Sequence, residues 1–155
     1  MAVTDTDRGF KALQKRMKDA AQGDWTITVG VHDSAGIHKD SQQSVADIAL
    51  IHEFGAPAAN IPARSFIGAW FDLHGLELQK KSVKDLQAFI MGTMKKAQVL
   101  ARAGSRAVAG IQQRISQNIP PPLKPATIKR KGSSVALIDT GQMRTAVTWA
   151  PGKAK

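Results

Sequence analysis

ADIALIHEFGAPAANIPARSFIGAWF, residues 46–71, is the stretch on which the reading of the whole chain turns. An apolar segment, a Gly/Pro-rich bend and a second apolar segment follow one another without a break. Val45, Ile48, Ala49 and His52 recur at three- and four-residue steps, which predicts a helix with that face on the core. Gly55 is its natural stop, because the residue just past a helix commonly needs positive φ, and Pro57 cannot continue the helix. Pro62 fixes the direction in which the chain leaves the bend. From Ser65 onward, Phe66, Ile67, Trp70, Phe71 and His74 share one side at helical spacing. The chain has five Phe, three Trp and no Tyr, and Phe54, Phe66, Trp70 and Phe71 all fall here. Large rings dominate the area a core can bury, so the core is expected at this block.

Upstream, Thr6 or Asp7 is suited to cap a first helix whose apolar stripe is Phe10, Leu13, Met17 and Ala20, ended by Gly23. Trp25, Ile27, Val29 and Val31 alternate with Thr26, Thr28, Gly30 and His32, a period of two that predicts a half-buried strand. Residues 32–43 are polar and read as an exposed loop, mobile or paired as a hairpin arm. Ser44, with Asp47 three residues on, forms a capping-box pattern at the start of the helix already described.

Downstream, helix-compatible residues run to about Lys80. Ser82 and Asp85 give a second capping-box pattern, and apolar steps from Val83 through Leu86, Ile90, Met94 and Leu100 to Ile111 and Ile115 predict one long helix over about residues 82–118, or two broken near Gly104. Its small-residue stretch AQVLARAGSRAVAG admits close approach of another helix, from the same chain or a neighbour. Pro120, Pro121 and Pro122 end it. Pro125 to Arg130 predicts a short helical turn, Val135 to Ile138 a buried segment, and Thr145, Val147 and Trp149 a last strand. The expected fold class is α+β, a small antiparallel sheet packed against helices, with residues 1–150 as one domain and 151–155 as a disordered tail.

At 155 residues the chain is long enough to bury a core without staples. The absence of cysteine excludes disulfides and thiolate metal sites and fits a reducing compartment. MAVTDTDRGF has no basic segment leading into an apolar run, which reads against a signal peptide, and no stretch has the length of a membrane span. A protein made in the cytoplasm, with no membrane partner, is expected. The net charge of +10 is the strongest compositional deviation. After Ile119 come Lys124, Lys129, Arg130, Lys131, Arg144, Lys153 and Lys155 against one acid, Asp139, so a positive field on part of the surface is expected, either a plain solvated face or one that meets nucleic acid or an acidic protein surface.

Leu137-Ile138-Asp139-Thr140-Gly141 looks like the Asp-Thr-Gly signature of aspartic proteases. Only fourteen residues follow Gly141, too few for the further strands such a subunit needs, so Asp139 and Thr140 read as a turn or helix cap with Gly141 at a tight bend. His32, His38, His52 and His74 show no paired ligand spacing, and His52-Glu53 lacks the second histidine of a metalloprotease helix. There is no phosphate-cradling glycine loop and no nucleophile elbow. The residues give little basis for an enzyme, and no cofactor is expected. The segment Lys124 to Lys131 can contact phosphates, but without interleaved aromatics it does not read as a sequence-specific DNA reader.

Four blocks in order then resemble the virion morphogenesis, or tail-completion, proteins of tailed bacteriophages. They are Gly30-Val31 at a strand end, His52-Glu53-Phe54-Gly55 at a helix end, Ile61-Pro62-Ala63-Arg64-Ser65-Phe66 in a bend, and Leu137-Ile138-Asp139-Thr140-Gly141-Gln142-Met143 late in the chain. Ser65 stands where that pattern has a second proline. The resemblance implies a virion protein of the neck or tail top. It would form a homo-oligomeric ring, with a hexamer as one form, and complete the tail and join it to the DNA-filled head. It also implies no catalysis, with neighbouring neck, tail-terminator or connector proteins as partners and nonspecific contact with packaged DNA. Ring formation needs two different patches on each subunit; the loop after His32, the long helix and the basic segment are the candidates. Arg64, Phe66, Lys129, Arg130, Lys131, Asp139 and Arg144 are the candidate interface or structural residues. Arg64, the one charge inside the bend, is expected to tie it to a carboxylate or carbonyl. The alternative from another class is a basic nucleic-acid-binding protein acting in the cytoplasm.

Overall fold

Two antiparallel helices and a two-stranded ribbon form the frame. The computed structural model describes residues 9–152, so the expected caps at Thr6 and Asp7 lie outside the described residues. Among these residues six α-helices and two strands follow in the order α1 (Phe10–Gln22), β1 (Ile27–Val31), α2 (Val45–Phe54), α3 (Gly68–Ile90), α4 (Lys96–Ile115), α5 (Pro125–Lys131), α6 (Gln142–Thr145) and β2 (Val147–Pro151). β1 and β2 pair antiparallel with Val29 opposite Trp149. The α+β class expected from the alternating strand residues and the apolar helical stripes is therefore present.

The long helix is α3, and its bounds differ from expectation. The stretch 82–118 is divided between α3 and α4 at residues 91–95, not near Gly104. Gly92 sits at φ 81°, and the Thr93 amide returns to the Ala88 carbonyl at 3.0 Å, a left-handed helix end that glycine adopts without a Cβ clash. Ser82 starts no helix: its hydroxyl donates to the Leu78 carbonyl within α3. Asp85 reaches across to α4, where Arg102 donates to it at 3.1 Å and Arg106 donates as well.

Tryptophan rings explain the small residues of α4. A Cβ on Gly104 would lie 2.3 Å from the Trp149 ring, and one on Gly110 would lie 2.3 Å from Trp70. Within this chain the stripe lets β2 and α3 approach, and the two contacts fix α4 against both. With Trp70 beside Gly110 and Asp85 beside Arg102, α3 and α4 run antiparallel. The core is the cluster of Val45, Ala49, Phe66, Trp70, Ala107, Ile111, Ile115, Ile119, Leu137, Met143 and Val147, contributed by α2, the bend, α3, α4 and the residues after it, the segment before α6, α6 and β2. At about 25 cal/mol per Å² of apolar area, a fully buried Phe or Ile side chain contributes about 1.5–3 kcal/mol, so Phe66, Ile111 and Ile115 anchor it.

α1 docks on the far end of this frame. Arg16 Nε donates to the Ile90 carbonyl at 2.7 Å, a cation on a helix C-terminus. Trp25 packs edge-on to Phe89 at 5.0 Å and carries Lys96 Nζ 5.2 Å from its ring centre. The loop after β1 is tied down: Ile37 bridges to Ser44, and the Gln142 side chain donates to the Ile37 carbonyl at 3.0 Å. The tail expectation is corrected at its first residues. Pro151 closes β2 and the Gly152 amide donates to the Thr26 carbonyl at 2.9 Å; residues 153–155 lie outside the described residues.

Candidate functional site

The bend between α2 and α3 is closed by one carboxylate. Ser44 caps α2 by accepting from the Ala46 amide, so the face Val45, Ala49 and His52 turns inward and Glu53 emerges at the last turn, beside the start of α3. Glu53 accepts from the Ser65 hydroxyl at 2.6 Å and from the amides of Phe66, Ile67 and Gly68 at 2.8, 3.0 and 2.9 Å. These are the orphan donors that open a helix, and a carboxylate there also meets the positive end of its dipole. Burial alone would raise the Glu53 pKa; the donors from Ile67, Ser65, Gly68 and Phe66 outweigh it and hold the carboxyl below its usual range. Ser65 completes the cap by accepting from the Ala69 amide at 3.0 Å. A proline at 65 would supply neither bond, so Ser65 has a structural role of its own.

Gly55 takes φ 79°, and a Cβ there would stand 2.8 Å from the Ala63 amide nitrogen. The chain thus doubles back at close range, with the Arg64 amide on the His52 carbonyl at 2.7 Å. The Arg64 side chain is buried, 6% exposed, and its Nε and Nη2 donate to the Pro121 carbonyl at 3.2 and 2.8 Å. A carbonyl of the same chain, and not a carboxylate, is its partner here. It fastens the bend to the proline segment that follows α4.

Behind this fastening lies His52, whose Nδ1 is buried without a hydrogen-bond partner. Desolvation, then the charges of Arg64 and Lys131, lower its pKa, so the ring is held neutral. Lys131, at the end of α5, donates to the carbonyls of Val135 and Ala136 at 3.2 and 2.7 Å. Burial lowers its pKa against the opposing pull of Asp139, with Arg64 acting in the same direction as burial.

The other candidate residues are spread over the surrounding surface. Phe66 is fully buried. Lys129 and Arg130 are exposed on α5, and Asp139 is exposed before the Gly141 bend at φ 79°. Thr140 Oγ1 accepts from the Gln142 amide at 3.3 Å, so the Asp-Thr-Gly block makes a turn into α6. Arg144 donates to the Ser116 hydroxyl at 3.2 Å. The structure brings Arg64, Lys131, Arg130 and Asp139 around one groove, with Phe66 beneath in the core and Arg144 bonded to the end of α4.

Two aromatic placements are corrected. Phe54 is 73% exposed, because inward-facing His52 and Glu53 leave the next position on the outer face of α2, which it shares with Leu50. His74 is exposed too, with its ring 5.5 Å from Trp70. Glu53 and Asp85 carry roles that sequence patterning did not assign. For Glu53 the signal was an acid in the last turn of an apolar helix, immediately before a proline-bracketed bend. Among the described residues no three His, Asp or Glu side chains gather where a metal could bind, and no helix is long and apolar enough to cross a membrane. No protein-family model, curated protein or solved structure matches the chain.

Proposed function

We propose that this chain is a non-enzymatic structural subunit of the neck or tail top of a tailed bacteriophage, forming a ring that completes the tail and joins it to the head. What carries the reading is the resemblance of four blocks in order, three of which hold the fold together. Glu53 from the second block caps the helix that follows the third, and Arg64 of the third fastens the bend to Pro121. Phe66 fills the core and Thr140 of the fourth block sets the turn into α6. The shared residues thus serve the scaffold.

Assembly is supported by apolar surface that the folded chain leaves uncovered. Leu73 and Leu76, one turn apart on α3, are 68% and 75% exposed, a placement that favours a subunit contact. The test is genetic complementation in the phage that encodes the chain. Loss of the gene should leave DNA-filled heads and unjoined tails, rescued by the wild-type chain and not by Leu73→Glu/Leu76→Glu. Normally joined particles without the chain would overturn the reading. Salt-dependent duplex binding by the isolated monomer would favour the nucleic-acid alternative, which the net charge of +10 supports.

A further inference from the structure

A groove of about 1300 Å³ runs between the α2–α3 bend, the proline segment with α5, and the turn before α6. Four cations line it, Arg64, Lys124, Arg130 and Lys131, against one carboxylate, Asp139. The two that are held in place are bonded to neutral carbonyls, Arg64 to Pro121 and Lys131 to Val135 and Ala136. Their positive charge is therefore oriented by neutral partners, and Asp139 is the one carboxylate of the groove that offsets part of it, at Lys131. Lys124 and Arg130 stand exposed, with no ion pair among the described residues. The remaining wall is largely apolar, with Ile61, Leu123 and the exposed ring of Phe54.

From this pairing of excess cations with apolar wall, we propose that the groove binds an extended acidic segment of a different protein, its carboxylates on Lys124 and Arg130 and its apolar side chains against Phe54 and Leu123. Charge complementarity selects the occupant. A second copy of a chain with net charge +10 brings the wrong sign. Small-molecule pockets run about 300–1,000 Å³, so the volume favours a polymer. Single-stranded nucleic acid binds along rows of large aromatic platforms, and this wall offers one phenyl ring, Phe54, with the imidazoles of His38 and His52 and no Trp. Peptide recognition by basic clusters beside apolar pockets has the matching chemistry. The inference goes beyond ring assembly and does not depend on it.

The experiment selects a ribosome-displayed random decapeptide library against the full immobilised chain and then titrates the enriched peptides by fluorescence anisotropy. Enrichment of Asp/Glu interspersed with apolar residues is expected. Binding of those peptides should weaken about tenfold or more in Lys124→Glu/Arg130→Glu, as charge reversal at a complementary interface demands. Phe54→Ser should weaken it separately, by several-fold, which distinguishes a seated peptide from a purely ionic contact. Both variants alter exposed side chains, and circular-dichroism melts superimposable on wild type check that they fold. No enrichment, enrichment of neutral or basic peptides, or binding indifferent to both variants would overturn the proposal. So would tighter binding of a labelled 20-nucleotide single strand or duplex that competes with the peptides and is lost in the same charge variant.

Discussion

Replacing Glu53 with Ala removes one side chain and strands four donors, the Ser65 hydroxyl and the amides of Phe66, Ile67 and Gly68. A hydrogen bond to a charged group contributes about 1.5–3 kcal/mol when its partner stays buried. Gly68 is exposed and Ser65 half-buried, so water replaces part of the loss and the four bonds do not add. The Phe66 and Ile67 amides and the lost cap together give about 3 kcal/mol. For a chain of this size that lowers Tm by about 6–12 °C, which differential scanning calorimetry at pH 7 resolves. Glu53→Gln should fall in between, because its amide oxygen still accepts while its charge is gone. The pH dependence follows from the lowered carboxyl pKa. The stabilisation is fully present above the ordinary glutamate value and is lost as pH falls through the lower folded value, so the gap between wild type and Glu53→Gln should close in acid. A melting point for Glu53→Ala within 2 °C of wild type, or a gap that stays constant from pH 7 into acid, would refute the capping role.

Three further outcomes test other parts of the fold. His52 is kept neutral by burial and by Arg64 and Lys131, so the unfolded chain takes up its proton first as pH falls below the ordinary histidine value. Wild type should lose stability through that window while His52→Gln loses less, measured as the difference in Tm between pH 7 and pH 5. Gly104→Ala should cost about 1–3 kcal/mol by forcing Trp149 away, whereas Gly75→Ala in α3, where a Cβ meets nothing within 4 Å, should gain up to about 1 kcal/mol of helix propensity in urea unfolding. Asp85→Ala leaves Arg102 and Arg106 unpaired. Because Arg102 is 56% exposed, the loss should be nearer about 2 kcal/mol than the 3–5 kcal/mol of a fully buried pair, and Arg102→Ala alone should cost less than Asp85→Ala.

The elements were legible where one signal dominated. Strict alternation placed β1, and Ser44 with Gly55 bracketed α2. Pro125 and Gly132 bracketed α5 as the first-turn proline and left-handed cap expected of a short helix. The division of the long helix was harder to read because Gly104 and Gly92 look alike as letters. Gly104 makes room for a ring from β2, more than forty residues on, while Gly92 supplies a left-handed end. Ser82 and Asp85 copied a capping box, yet Asp85 is needed in mid-helix by two arginines on α4, a tertiary demand that local spacing does not carry. In the candidate site, Arg64 stood out as the lone charge of its bend. Lys131, by contrast, read as part of an exposed basic run, although its ammonium is turned inward onto two carbonyls.

Ring assembly is the central claim, and sedimentation velocity of the purified chain across protein concentration and salt tests it most directly. One discrete species of three or more chains, its mass a whole multiple of 16.6 kDa, is expected, reduced to the single-chain mass by Leu73→Glu/Leu76→Glu. A 16.6 kDa particle under every condition, unchanged by that variant, would contradict it.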